Sequence, residues 1–256
     1  MVAAALKPVL MPVLMPVLVA QAVALRRRAP TLPEAAGPRA GRLGEGAPLR
    51  LLIVGDSSAA GVGVATQDEA LAGHLTRTLA ARSGRCIEWR LQARSGTTSA
   101  QALALLQEAP PGPYDLAVAV LGVNDVVEQV PPRRAVQQRA ALADWLFAEA
   151  GVRHVVFAPL PPMHQFPLLP QPLRWFAGAE ARAHDAALAR WAATRADVHH
   201  VPIALQLGPQ TMAADGFHPG APVYRACGEA LAGFIAERLS PLESGAAGPA
   251  GRSPRR

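Results

Sequence analysis

Between residues 49 and 239 short apolar runs alternate with segments of helical periodicity, and few folds satisfy that alternation. Residues 49–54, 116–121, 152–158 and 198–203 read as buried strands, and residues 86–91 alternate as a strand does. Residues 67–82, 99–107, 133–149, 174–195 and 221–239 have the spacing of helices, with Leu188 and Trp191 sharing a face of the fourth. A strand that is apolar at nearly every position, rather than every second one, is covered on both faces. Five strands alternating with helices therefore imply an α/β domain with a parallel sheet between two helical layers. Ligands of such sheets bind outside the carboxyl ends of the strands, so the residues that follow each run are where chemistry is expected.

The 256-residue chain is 50% hydrophobic and 17% charged, which excludes wholesale disorder. Its net charge of +6 would suit a nucleic-acid binder if it were spread over the domain. It is not. Residues 1–50 carry seven basic and two acidic side chains, and residues 241–256 carry three and one. The 15 basic and 16 acidic residues between them leave no field for a phosphate backbone, so no nucleic-acid partner is expected. Cys86 and Cys227 are the only cysteines, too few for a disulfide framework or a four-cysteine zinc site, and read as two free thiols.

The boundaries follow from the same shifts: an apolar segment with an arginine cluster at 1–28, a Pro/Gly/Ala-rich linker at 29–48, the domain at 49–240, and a flexible basic tail at 241–256. Residues 8–25 carry no charge and precede Arg26, Arg27 and Arg28. As a helix they would span about 27 Å, close to a bilayer's hydrocarbon thickness. Pro8, Pro12 and Pro16 argue against an ideal helix, although membrane helices tolerate proline. Three roles are open. The run is a membrane anchor, whose trailing arginines keep the domain on the cytoplasmic side. It is a secretory signal cut near Ala20-Gln21-Ala22, which would place the domain outside the cell or in the periplasm, but its charge follows the apolar run instead of preceding it. Or it is an apolar arm packed on the domain or on a partner.

Four strand-end elements carry chemistry. The first strand runs into Gly55-Asp56-Ser57-Ser58, which sets a serine where strand gives way to turn or helix. A capping serine is the plainer role for Ser57 taken alone. The second strand precedes Ser95-Gly96-Thr97, where a glycine lets backbone N–H approach a ligand or simply makes a turn. The third ends in Gly122-Val123-Asn124-Asp125, whose Asn124 amide could donate to an oxyanion or cap the chain. Before the last helix stands Asp215-Gly216-Phe217-His218-Pro219. At that spacing the carboxylate can reach the imidazole Nδ1–H and leave Nε2 as a base, and Pro219 is placed to start the helix.

In this order the four blocks resemble the SGNH hydrolase superfamily, the GDSL esterases and lipases. The resemblance covers about residues 49–239 and matches the family's catalytic positions at Ser57, Gly96, Asn124 and His218, with Asp215 as partner. One position departs, Ser58 standing where leucine is usual. The resemblance implies a three-layer α/β/α sandwich with a five-stranded parallel sheet of flavodoxin-like type. It implies a serine esterase or lipase that cleaves small-molecule or lipid acyl esters through an acyl-enzyme, with Ser57 as nucleophile, His218 as base and Asp215 as orienter. The oxyanion hole would be the Ser57 and Gly96 N–H groups and the Asn124 side chain, and no metal or cofactor is required. Asp56 and Asp125 would hold loops. Carbohydrate O-deacetylation and thioester cleavage are rival activities for the same site, and a non-catalytic, membrane-anchored scaffold is the rival from another class.

Residues 159–176, PLPPMHQFPLLPQPLRWF, leave the fourth strand at the catalytic edge and are too long for a plain connection. They are expected either to wall or lid an acyl site, with Met163, Phe166, Leu168 and Leu169 as contacts, or only to cover the sheet. The remaining histidines read as structural: His74 on a helix, His154 beside a strand, His184 on a helix with its ring in solvent, and His199 and His200 on opposite faces of a strand. His164 lacks a carboxylate at a suitable spacing and is a poor base.

Overall fold

The computed structural model describes residues 2–28, 30–110 and 112–239, with side chains except at 2–13 and 28. The tail at 241–256 lies outside the described residues. The strands are β1 (Ala40–Leu43), β2 (Pro48–Gly55), β3 (Cys86–Ala93), β4 (Leu116–Val120), β5 (His154–Phe157) and β6 (Val198–His200). They lie in the order β1-β3-β2-β4-β5-β6. The five expected strands pair in parallel, and β1 adds an antiparallel sixth at the edge.

The helices are α1 (Val2–Arg28), α2 (Ser57–Ala60), α3 (Leu71–Ser83), α4 (Ser99–Glu108), α5 (Val123–Val127), α6 (Pro132–Glu149), α7 (Leu173–Ala192) and α8 (Ala221–Phe234). Two cores result from the two-residue period of the central strands. Leu51, Ile53, Leu116 and Val118 face Leu75, Leu79 and Leu231 of α3 and α8. Leu52, Val54, Ala117 and Ala119 face Leu106, Leu142, Leu146 and Leu188 of α4, α6 and α7. Each fully buried leucine or valine contributes roughly 1.5–3 kcal/mol, and the continuous apolar runs of β2 and β4 supply them to both layers. The fold is the three-layer α/β/α sandwich, with six strands where five were expected.

The extra strand comes from the stretch expected as a linker. β1 is exposed along its length, while Ala35, just before it, is buried and its N–H donates to the Ala60 carbonyl. Gln67 closes that contact by donating from Nε2 to the carbonyls of Ala35 and Ala60. Residues 30–47 are thus strapped onto the domain rather than spacing it from α1.

α1 is helical through Pro8, Pro12 and Pro16. Its carboxyl half lies against the start of α7. Leu18 is buried, the Gln21 amide donates to the Gln171 carbonyl at 2.7 Å and accepts from the Leu173 N–H at 3.2 Å, and Arg26 pairs with Glu128 at 2.8 Å. Met15, Val17, Val19 and Val23 are exposed. Among the described residues no helix is long and apolar enough to cross a membrane. The carboxyl half of α1 is packed on the domain through these contacts. Cys86 and Cys227 are both free thiols, and burial pushes the Cys227 thiol up to about 12.

Candidate active site

Three catalytic-edge loops and the turn before α8 meet at Ser57. The Ser57 side of the site is built by close packing at Gly55. A Cβ there would lie 2.4 Å from the Ala59 Cβ and 2.6 Å from the Val120 carbonyl oxygen, so only glycine lets β2 turn this tightly into α2. Ser57 becomes the first residue of α2 and is only 8% exposed. The cap comes from Asp56, whose Oδ1 accepts the Ser58 N–H at 2.9 Å. Ser57 is thereby released from the capping role that it could have had, and its own N–H belongs to a first turn that has no acceptor within the helix.

Asp215 organises the opposite side. Its Oδ1 accepts the N–H groups of Phe217 and His218, both at 2.9 Å, which curls the chain back on the carboxylate. Its Oδ2 lies 2.6 Å from His218 Nδ1, and His218 Nε2 lies 3.0 Å from Ser57 Oγ. Burial works to raise the Asp215 pKa. The hydrogen bonds from the His218 ring and from the two backbone N–H groups outweigh it and hold the carboxyl below its ordinary value. A short ribbon fixes this turn, the Ala213 N–H donating to the His218 carbonyl and the Gly220 N–H to the Thr211 carbonyl. Helix α8 opens at Ala221, where the spacing placed it, but Pro222 rather than Pro219 stands in its first turn.

Gly96 lies in a turn closed by the Thr97 N–H on the Arg94 carbonyl. Its φ of +79° at the third turn position requires glycine. Asn124 ties this turn to the serine loop, its Nδ2 donating to the Thr97 carbonyl at 3.1 Å and to Asp56 Oδ2 at 3.3 Å. Burial, reinforced by the nearby Asp125 charge, pushes the Asp56 carboxyl up to about 7 against the Ser58 hydrogen bond. Asp125 faces inward. It accepts from the Ser99 N–H and hydroxyl at 2.9 and 2.6 Å and pairs with Arg139 at 2.9 Å, all of it buried. Losing one member of such a pair typically costs about 3–5 kcal/mol, so this network sets the height of α4 and α5 beneath the site. Burial lowers the Arg139 pKa against the pull of Asp125.

Glu34 and Arg39 were not singled out in the sequence, yet they hold the Gly96 turn. Glu34 Oε1 accepts the Ser95 N–H at 2.7 Å and the Ser95 hydroxyl at 2.8 Å. Glu34 also pairs with Arg39, whose Nη1 donates to the Ala93 carbonyl at 2.7 Å. Partial burial works against the Glu34 carboxylate, but the Ser95 and Arg39 contacts outweigh it and lower its pKa.

The pocket over Ser57 and His218 is small, about 30 Å³, and is lined by Val123, Phe166, Leu207, Met212, Phe217 and Val223 among others. Of the four expected contacts in the 159–176 segment, Phe166 lies here. Met163, Leu168 and Leu169 instead line a separate cavity of about 240 Å³. Leu207, Met212 and Val223 come from stretches whose sequence carried no signal of a site. His164 stands near Arg182, at 3.5 Å, and lines neither of these pockets. His199 and His200 do point apart, His199 to His154 at 3.2 Å and His200 to Asp185 at 2.9 Å. His184 is a correction: its ring is fully buried rather than in solvent, because position 184 falls on the inner face of α7 with Ala177, Ala181 and Leu188.

A hydroxyl next to an imidazole that is held in turn by a carboxylate can be deprotonated as it attacks a carbonyl. Residues 53–226 match the model of the GDSL-like lipase/acylhydrolase family. The chain is 32% identical over 202 residues to the GDSL-like esterase Rv1075c of Mycobacterium tuberculosis, a match that takes in 74% of this chain and 62% of the relative's length. Among solved structures, the lipase Lip_vut3 from a goat rumen metagenome superposes with a TM-score of 0.60 at 17% identity over 73% of this chain and 98% of its own. The Clostridium thermocellum family 3 carbohydrate esterase superposes with 0.58 at 17% identity, over 76% and 98%. At that identity the two structures speak for the fold alone, and the family rests on the sequence matches: the chain belongs to the GDSL-like lipase/acylhydrolase family of the SGNH hydrolases.

Proposed function

We propose that this hydrolase cleaves carboxylic esters by two-step acyl transfer through Ser57. The observation that carries the reading is the continuous chain from Ser57 Oγ to His218 Nε2 at 3.0 Å and from His218 Nδ1 to Asp215 at 2.6 Å. His218 takes the Ser57 proton as Oγ bonds to the carbonyl carbon. It returns that proton to the alcohol oxygen as the ester C–O bond breaks, and then activates a water that releases the acid. Backbone N–H groups at Ser57 and Gly96 and the Asn124 amide receive the negative oxygen of both tetrahedral intermediates. The longer of the two Asn124 contacts, to Asp56 at 3.3 Å, is the one an oxyanion can replace. A fluorophosphonate probe should label Ser57 at one equivalent per chain and stop p-nitrophenyl butyrate hydrolysis in step. Labelling at another serine, or activity that survives full labelling, would remove the assignment.

Asn124→Ala tests the oxyanion role separately. Removal of one such donor lowers kcat by about 10²–10³, because the interaction strengthens only as charge develops. The expected result on p-nitrophenyl butyrate is that loss in kcat with KM little changed. A rise in KM with kcat intact would show that Asn124 binds substrate and does not meet the transition state.

A further inference from the structure

We infer that the 240 Å³ cavity beneath α1 receives an apolar chain of the substrate ester, about eight carbons long, with Phe217 as the gate between it and Ser57. This deepens the ester-hydrolase reading and rests on it. The pocket at the serine, about 30 Å³, is far smaller than the 240 Å³ cavity and cannot hold a long chain. A longer chain needs space beyond it, and the adjoining space is the larger cavity. Phe217 lines both. Its ring stands edge-on to Phe166 at 5.2 Å and beside the His218 ring at 5.3 Å, and it follows Gly216, whose φ is +66°. As the residue common to both linings, Phe217 is the side chain whose rotation would join the two spaces.

The larger cavity is built of carbon. Ala22 and Leu25 of α1 form one wall, and Val126, Leu168, Leu173 and Phe176 form the others. Its polar groups, Arg26 and Gln129, are few, and Arg26 is engaged by Glu128 at 2.8 Å. The α1 wall is positioned and not merely adjacent, since Gln21 bonds the backbone on both sides of Pro172. A methylene takes about the room of a water molecule, roughly 30 Å³, which gives the chain length of about eight. Apolar walls without a convergent polar group suit a hydrocarbon chain and offer nothing to a sugar or a charged group.

The test is a chain-length series on the full-length protein, read as the C8/C2 ratio of kcat/KM. One arm lengthens the acid, p-nitrophenyl acetate to octanoate. The other lengthens the alcohol, ethyl acetate to octyl acetate. The wild-type ratio should exceed one in one arm, which also identifies the end of the ester that enters the cavity. Ala22→Trp should fill the space and lower that ratio about tenfold or more, while Phe217→Ala should raise it. If Ala22→Trp loses its cooperative thermal transition, Leu168→Trp fills the same space from the opposite wall and should lower the ratio likewise. A wild-type ratio of one or less in both arms, or filled variants with the wild-type ratio, would overturn the cavity assignment and leave the esterase reading standing. No turnover of any ester in either arm would overturn the esterase reading itself.

Discussion

Ser57→Ala should lower kcat on p-nitrophenyl butyrate by about 10⁶ and abolish fluorophosphonate labelling, with the melting temperature unchanged. The size follows from the mechanism. Without Oγ no acyl-enzyme forms, and what remains is water attack in a site that still binds and polarises the carbonyl, roughly 10³–10⁴ over the uncatalysed rate. The unchanged stability follows from the structure. Ser57 opens α2, but its hydroxyl does not cap that helix, because Asp56 does so through the Ser58 N–H at 2.9 Å. Its side-chain contact is His218 at 3.0 Å, a half-buried ring that Asp215 continues to hold at 2.6 Å when the hydroxyl is gone. Alanine also suits the first turn of a helix. Activity and stability should therefore separate. A variant that still turns over the ester within tenfold of wild type would exclude Ser57 as nucleophile, and one that loses activity only along with its melting transition would leave no catalytic role to assign to it.

Three of the four blocks were legible because they follow β2, β3 and β4, strands visible as apolar runs or as alternation, while the Asp215–His218 block was legible from its own spacing before the last helix. Each of Ser57, Gly96, Asn124 and His218 had a plainer role when taken alone, and it was the order of the four blocks, resembling the SGNH hydrolases, that joined them. Glu34 was not legible, because its partner Ser95 stands 61 residues away and the contact is between two irregular segments that leave no periodicity. β1 was missed for a related reason. As an exposed edge strand of sequence Ala-Gly-Arg-Leu it buries no face and so shows no alternation. His184 differs, since its signal was present: 177, 181, 184, 188 and 192 recur at helical spacing, and all are buried. Its polar neighbour Asp185 drew the reading toward solvent, although Asp185 itself is turned to the Leu160 N–H and His200. The 159–176 segment divided because its 3₁₀ turn at Met163–Gln165 bends the chain, which sends Phe166 to the serine pocket and Leu168 and Leu169 to the cavity under α1.

Asp215→Asn should lower kcat/KM by about 10⁴, a larger loss than the change of one atom suggests. The wild-type carboxylate has two acceptor oxygens and meets three donors: the N–H groups of Phe217 and His218 on Oδ1 and the His218 Nδ1–H on Oδ2. An asparagine side chain has one acceptor end and one donor end. If its oxygen keeps the two backbone N–H groups, its NH₂ faces Nδ1, which must then accept; the ring proton moves to Nε2, and that nitrogen can no longer take the proton of Ser57. If the amide flips to serve Nδ1, its NH₂ confronts the two N–H groups and the turn that carries His218 opens. Both outcomes remove the base. Stability should fall as well, and the sign is fixed by the lowered pKa of Asp215. A carboxyl held below its unfolded value stabilises the fold above that value and loses the contribution as pH falls through the folded one, so the melting-temperature gap between wild type and Asp215→Asn should be widest at neutral pH and narrow in acid. Thermal melts across pH read the second effect and steady-state kinetics the first. A variant within tenfold of wild-type activity would show that something other than Asp215 sets the His218 tautomer.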